Sequence, residues 1–266
     1  DRGARRSLRL EAPHQAVELI RQLRQPPGVA LRRAGQVLDQ LRFVVDLLDM
    51  PVDLLGNAVL LFRCGGDLQV LVADFVHRQL DAFEAALARR EKREPLQHIT
   101  GTAAFRSLEL SVGPGVFVPR PETEQVVQYA IDYLRQLPTP GVAIDLGTGS
   151  GAIAIAMAKE VPQAKVFAVE LSEEAHAYAA KNIVANGVSV ELRLGAMQEV
   201  VSDLVGSLDV VISNPPYIPN AAIPIDPEVR NYDPELALYG GEDGLDVIRD
   251  ISGIAAALLR PGGLLV

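Results

Sequence analysis

Cysteine and histidine are scarce in this chain, and their scarcity excludes whole classes of chemistry. A single cysteine, Cys64, permits neither a disulfide framework nor a thiolate metal site. The four histidines, His14, His77, His98 and His176, are scattered without metal-ligand spacing, so no metal is expected. No apolar run approaches the ~20 residues that cross a bilayer, and no internal repeat or low-complexity tract is present. The Arg-rich start, Asp1–Leu10, leads into no apolar signal-type segment, and Glu11 and Glu18 argue against a long mitochondrial presequence. A cytoplasmic protein without membrane contact is therefore expected. What is present is 266 residues, 48% of them apolar, long enough for two domains with buried cores.

Charge is divided unevenly. Residues 1–95 hold 15 Lys+Arg and 13 Asp+Glu, net +2, whereas residues 96–266 hold 10 and 21, net −11. An acidic half repels nucleic-acid phosphates and suits a basic protein partner.

Residues 1–95 read as a small helical bundle. The longest helical pattern runs from Asp67 to about Arg93, with Leu68, Leu71, Val72, Phe75, Val76, Leu80, Phe83 and Leu87 at three- and four-residue steps. Asp67 suits an N-cap, and Arg89, Arg90, Lys92 and Arg93 suit the C-terminal end of the dipole. Residues 96–118 read as a hairpin or linker: Phe105–Val112 alternates apolar and polar, and Gly113-Pro114-Gly115 turns the chain.

From residue 119 the period changes. A helix is expected from about Glu122 to Leu137, with Thr123 or Glu122 as a plain cap. Strands follow at Val142–Leu146, Lys165–Glu170, Ser189–Leu194 and Asp209–Ser213, separated by helices at Ala152–Glu160 and Glu173 to about Ala185. A further helix runs from Gly244 to about Leu259. Strands alternating with helices of this length predict an α/β domain with a doubly wound, mostly parallel sheet over 119–266. The chain ends at Gly262–Val266 inside another strand pattern, so the last strands of that domain are expected to be cut short.

Three motifs fall at the carboxyl ends of these strands, the edge where open α/β sheets bind ligands. The first strand runs into Asp145-Leu146-Gly147-Thr148-Gly149-Ser150-Gly151, whose glycines permit a tight turn and a close ligand. The spacing is G-x-G-x-G, not that of dinucleotide binders, and Glu170 closes the second strand as an acceptor for ribose hydroxyls. This loop and acid are the usual arrangement for S-adenosylmethionine. The third motif is Asn214-Pro215-Pro216-Tyr217, where two prolines force a rigid, extended exit from the sheet. The Asn214 side-chain carbonyl and the Pro215 carbonyl would accept both N–H bonds of a planar –NH2 group, with the Tyr217 ring beside it. Such acceptors favour a more tetrahedral nitrogen and stabilise the positive charge that develops on it. An amino-methyltransferase is the expected reading.

The whole pattern resembles the HemK/PrmC family, glutamine N-methyltransferases that modify peptide chain release factors. The resemblance rests on Gln97-His98-Ile99-Thr100-Gly101 with Phe105, Phe117–Glu124, Asp145–Gly151 and Asn214–Tyr217. Asp226-Pro227-Glu228-Val229-Arg230, Asp233-Pro234, Ala237-Leu238 and Gly240–Leu245 match as well. It implies the class I S-adenosylmethionine-dependent methyltransferase fold, and as acceptor the glutamine of the Gly-Gly-Gln loop in a class 1, bacterial-type release factor. It also implies that the helical N-terminal domain grips the release factor, and that Arg120 of the Pro-Arg-Pro segment helps build the pocket. Where the family commonly has Asp and then an aromatic near the adenine, this chain has Gly195-Ala196-Met197; Met197 is expected to pack on the purine.

The alternatives are an adenine N6 or guanine N2 nucleic-acid methyltransferase, since a base offers the same –NH2, and a non-catalytic cofactor-binding module. The nucleic-acid readings expect a basic target-recognition region, against which stand the net −11 half and the 49 residues after Tyr217. Intact Asn214 and Tyr217 argue against a non-catalytic module.

Overall fold

The computed structural model describes residues 68–266, so the earlier helical patterns and the cap expected at Asp67 lie outside the described residues. The chain divides into two compact units, Asp1–Leu87 and Ala88–Val266. Helix α1 (Leu68–Glu91) runs through that division and ends with Arg89 and Arg90 in its last turn, as the dipole favours.

The second unit begins with a one-turn helix, α2 (Leu96–Thr100), and an antiparallel hairpin of β1 (Thr102–Phe105) and β2 (Leu108–Ser111). Ala103, Phe105, Leu108 and Leu110 alternate inward along the hairpin, which explains the period-two pattern. Arg106 makes the turn at φ +52, a left-handed conformation that costs an L residue energy. It is held there by five hydrogen bonds: its N–H to Glu124 Oε1, its guanidinium to Glu160 Oε1 and Oε2, Gln128 Oε1 and the Glu124 carbonyl.

Helix α3 (Pro121–Gln136) differs from expectation at its start. Arg120 is the N-cap in extended conformation and no side chain caps the helix; Pro121 occupies the first turn, where its missing N–H is harmless. Glu122 and Glu124 still favour the dipole from the first turn, but neither Glu122 nor Thr123 serves as the cap.

The sheet is doubly wound, as the alternating pattern predicts. Its strands are β3 (Val142–Leu146), β4 (Lys165–Glu170), β5 (Val190–Leu194), β6 (Leu208–Ile212) and β7 (Leu259–Leu265), all parallel in the order β5-β4-β3-β6-β7. The helices between them are α4 (Ala152–Glu160), α5 (Glu173–Asn186), α6 (Met197–Val200), α7 (Pro227–Tyr232) and α8 (Asp246–Leu258). The shortest of these, α2, α6 and α7, span too few residues to show a helical period in the sequence.

Alternation along each strand builds two cores. Ala143, Val166, Ala168, Val210 and Ile212 face α3, α4 and the hairpin, while Ile144, Leu146, Phe167, Val169 and Val211 face α8 and the turns after β5. Helix α4 is buried from Ala152 to Ala158; its alternating alanines let it lie close between sheet and hairpin. The direction of winding reverses between β3 and β6, and a crevice opens at the carboxyl ends of those two strands.

Candidate active site

The loop after β3 is the first wall of that crevice. Gly147, Gly149 and Gly151 take φ of +73, +57 and +86, which L side chains adopt only under strain. A Cβ on Gly147 or Gly149 would meet nothing within 4 Å, so the loop backbone lies open to a close ligand. Gly151 is different: a Cβ there would crowd Ile155 and Ala179, so it serves the close contact of α4 with α5.

Glu170 ties this loop to the end of β4. Its Oε2 accepts from Gly149 N–H at 2.7 Å, and its Oε1 accepts from the N–H groups of Leu171 and Ser172, both at 2.9 Å. Oε1 is thereby filled, whereas Oε2, with one donor, keeps a lone pair for a hydroxyl. Beneath the loop, Thr148 Oγ1 donates to Asp145 Oδ2 at 2.5 Å. Burial pushes the Asp145 carboxyl up to about 7, against the lowering effect of that hydroxyl. Asn182, fully buried on α5, donates through Nδ2 to the carbonyls of Ser150 and Ser111 and accepts from Ser111 N–H. It joins glycine loop and hairpin.

The turn after β6 forms the second wall. Ser213 Oγ donates to the Leu146 carbonyl at 2.6 Å, binding the ends of β6 and β3 to each other. Asn214 Nδ2 donates to Thr123 Oγ1 at 3.4 Å, which leaves Asn214 Oδ1 as the free acceptor. The chain returns after Leu238 to support this turn from behind: Ile218 N–H donates to the Leu238 carbonyl, Gly240 N–H to the Ile218 carbonyl and Asn220 N–H to the Gly241 carbonyl, each at 2.9 Å. A Cβ on Gly240 would lie 2.6 Å from the Pro216 carbonyl oxygen, so only glycine permits this approach. Tyr217 is 65% exposed at the mouth.

The third wall is the segment before α3 and the strap that faces it, Asp226–Leu238. Arg120 Nη2 donates to Asp233 Oδ2 at 2.6 Å, and its guanidinium lies 4.7 Å from the centre of the Phe117 ring. Burial raises the Asp233 carboxyl to about 6, with Arg120 pulling the other way. On its far side the strap is joined to the last turn of α1 and the residues after it: Arg90 pairs with Glu228 at 2.8 Å, Arg93 with Glu228 at 3.1 Å, and Tyr232 Oη donates to the Lys92 carbonyl.

These walls enclose about 860 Å³. Gly147, Thr148, Gly149, Ser150, Glu170, Met197, Asn214, Pro215, Pro216, Tyr217 and Arg120 all line it, so residues chosen on local pattern converge on one cavity. Asp145 and Gly151 lie behind the loop instead and act through it. The glycine backbone, Glu170 and a thioether at Met197 fit a nucleoside that carries a charged amino-acid tail. Sequence reasoning missed the contact roles of Thr123, Asn182, Ser213 and Asp233. Asn182 alone carries a local signal, a polar poor helix former inside a helix.

The chain is similar to known methyltransferases. The methyltransferase small domain matches residues 109–225, and the PrmC N-terminal domain matches residues 74–101. A release factor glutamine methyltransferase of Streptomyces coelicolor is 57% identical over 182 residues, 68% of this chain and 64% of that protein. One from Bifidobacterium longum is 48% identical over 200 residues, 71% of this chain and 68% of its own length. The chain thus spans about two thirds of the length of these relatives, slightly less for the first. A solved methyltransferase from Pyrococcus furiosus is 26% identical with a TM-score of 0.46, covering 67% of this chain and 76% of that one.

Proposed function

This chain belongs to the release factor glutamine methyltransferase (PrmC) family, and from that premise we propose that it methylates the side-chain amide nitrogen of the glutamine in the Gly-Gly-Gln loop of class 1 release factors. The methyl donor is S-adenosylmethionine, which supplies an electrophilic methyl group on a positively charged sulfur. The observation that carries this reading is that Asn214, with Nδ2 on Thr123 and Oδ1 free, shares one cavity with the glycine loop and Glu170.

In this reading Gly147–Ser150 receive the donor's amino-acid tail, Glu170 its ribose and Met197 its adenine. Asn214 Oδ1 and the Pro215 carbonyl accept the two amide N–H bonds of the glutamine. That draws the nitrogen lone pair out of conjugation and aims it at the methyl group. Pro216 and Tyr217 complete the acceptor wall. As the C–N bond forms, the C–S bond to the methyl group would break and the sulfur leave as a neutral thioether; the nitrogen gains positive charge, which the same two acceptors stabilise until a proton leaves to solvent. No base is required before transfer; the work is positioning and exclusion of water.

The acceptor is a protein in the cytoplasm, where translation ends, and not a nucleic acid. The net −11 of residues 96–266 supports this, as such a surface repels phosphates. Among the described residues no helix is long and apolar enough to cross a membrane.

The test is transfer of labelled methyl to a purified release factor, with duplex DNA, ribosomal RNA and a release factor lacking the loop glutamine alongside. Label confined to the intact release factor is expected; label on nucleic acid would overturn the reading. Asn214→Ala should lower the transfer rate about 100- to 1,000-fold, the loss seen when one transition-state hydrogen-bond partner is removed, while cofactor affinity changes little.

A further inference from the structure

Arg120 is held in place by a carboxylate from the strap. The carboxylate it meets has a side chain only 1% exposed, whereas its own is 36% exposed. A buried carboxylate needs a partner of opposite charge, and the planar guanidinium supplies it while lying on Phe117. The two residues are 113 positions apart, on two segments that both line the cavity. Val229, Pro234 and Glu235 of the strap line that cavity. The strap is also held by Ile218 N–H on the Leu238 carbonyl and, on its far side, by Arg90, Lys92 and Arg93.

We propose that Asp233 is a positioning residue for the acceptor. By fixing Arg120 against Phe117, it latches the Asp226–Leu238 strap to the Pro-Arg-Pro segment and so sets the wall the acceptor loop passes. Guanidinium has five N–H donors, and those not directed at Asp233 remain for main-chain carbonyls of that loop. The nature of the acceptor rests on the function proposed above; the latch itself does not.

The charge state of the latch supports its role. Burial raises the Asp233 carboxyl to about 6; Arg120, ahead of α3, and the Val118 backbone oppose the shift, and Asp226, at the start of α7, adds to it. Below about pH 6 the carboxyl takes up a proton and Arg120 loses its charged partner.

The test is a double-mutant cycle on the full chain with Arg120→Ala, Asp233→Asn and the pair combined. It reads kcat/KM for the release factor, cofactor Kd by calorimetry, and amide hydrogen exchange of the strap. Each single variant should lower kcat/KM about 10- to 100-fold, as a displaced wall does. The double variant should fall no more than about twofold below the worse single, because both remove one unit. Strap amides should exchange faster, and to the same extent, in all three. The advantage of wild type over Asp233→Asn should shrink below about pH 6. Arg120→Lys, which keeps the charge but not the fork, should fall in between and guards against an effect of simple truncation. Losses that multiply in the double variant, unchanged strap exchange in Asp233→Asn, or loss of cofactor binding in step with activity would each overturn the proposal. If wild type methylated no release factor, the function reading would fail, and strap exchange would still decide the latch.

Discussion

Asp145 shows how much a single buried carboxyl can reveal. It is fully buried below the glycine loop, and its protonation sits at about 7 because burial penalises the charged form. In the unfolded chain the same group titrates near ~4. Between those values the folded state binds more protons than the unfolded one, so this group's contribution to stability falls as pH rises from about 4 to 7 and is constant above. Asp145→Asn keeps an acceptor for Thr148 and removes the titration. Thermal melts from pH 5 to 8 should show the variant gaining on wild type up to about pH 7 and then holding a constant lead, of order 2–4 kcal/mol. A gap independent of pH would mean that Asp145 stays ionised throughout. Glu170, by contrast, has its charge satisfied by three backbone N–H groups. Two carboxyls at neighbouring strand ends thus do different work: one shapes the loop from below, the other closes it from the side.

Among the elements, the β1–β2 hairpin is the piece most dependent on a single side chain. Its turn residue Arg106 accepts a left-handed backbone in exchange for contacts to α3 and α4, and its guanidinium draws the Glu160 carboxyl below the usual range. Arg106→Ala keeps the strained turn and loses the contacts; it should cost about 2–4 kcal/mol in urea melts with an unchanged m-value. Arg106→Gly loses the same contacts but relieves the turn, and should be about 1 kcal/mol less damaging. Equal losses would show that the turn stores no strain. Helix α3 offers the complementary case. Neither expected cap, Thr123 or Glu122, serves, because the helix begins at Pro121 and both lie inside its first turn, where the Thr123 hydroxyl accepts from Asn214 Nδ2. A local rule for helix ends was overridden by a contact at the site.

For the whole molecule, every described residue that lines the cavity lies within Ala88–Val266. A protein comprising only residues 88–266 should therefore bind S-adenosylmethionine with a Kd within about threefold of the full chain, an upper bound of ~0.7 kcal/mol. Calorimetry would check this, and a much larger loss would assign part of the donor site to Asp1–Leu87. The sequence by itself determined the winding of the sheet, since short apolar runs such as Val142–Leu146 and Lys165–Glu170 are bounded by glycine turns and capped helices that leave little alternative. It also determined where ligands would go, because Gly147–Gly151, Glu170 and Asn214–Tyr217 each carry their meaning in a few consecutive residues at strand ends. What only the tertiary structure decided are the contacts that orient those motifs: Thr123 on Asn214, 91 positions apart, and Arg120 on Asp233, 113 apart. Asp233 in the sequence is simply an aspartate before a proline. Periodicity and turn chemistry act over a few residues, whereas the direction in which an amide or a guanidinium points is set by whichever distant segment packs against it.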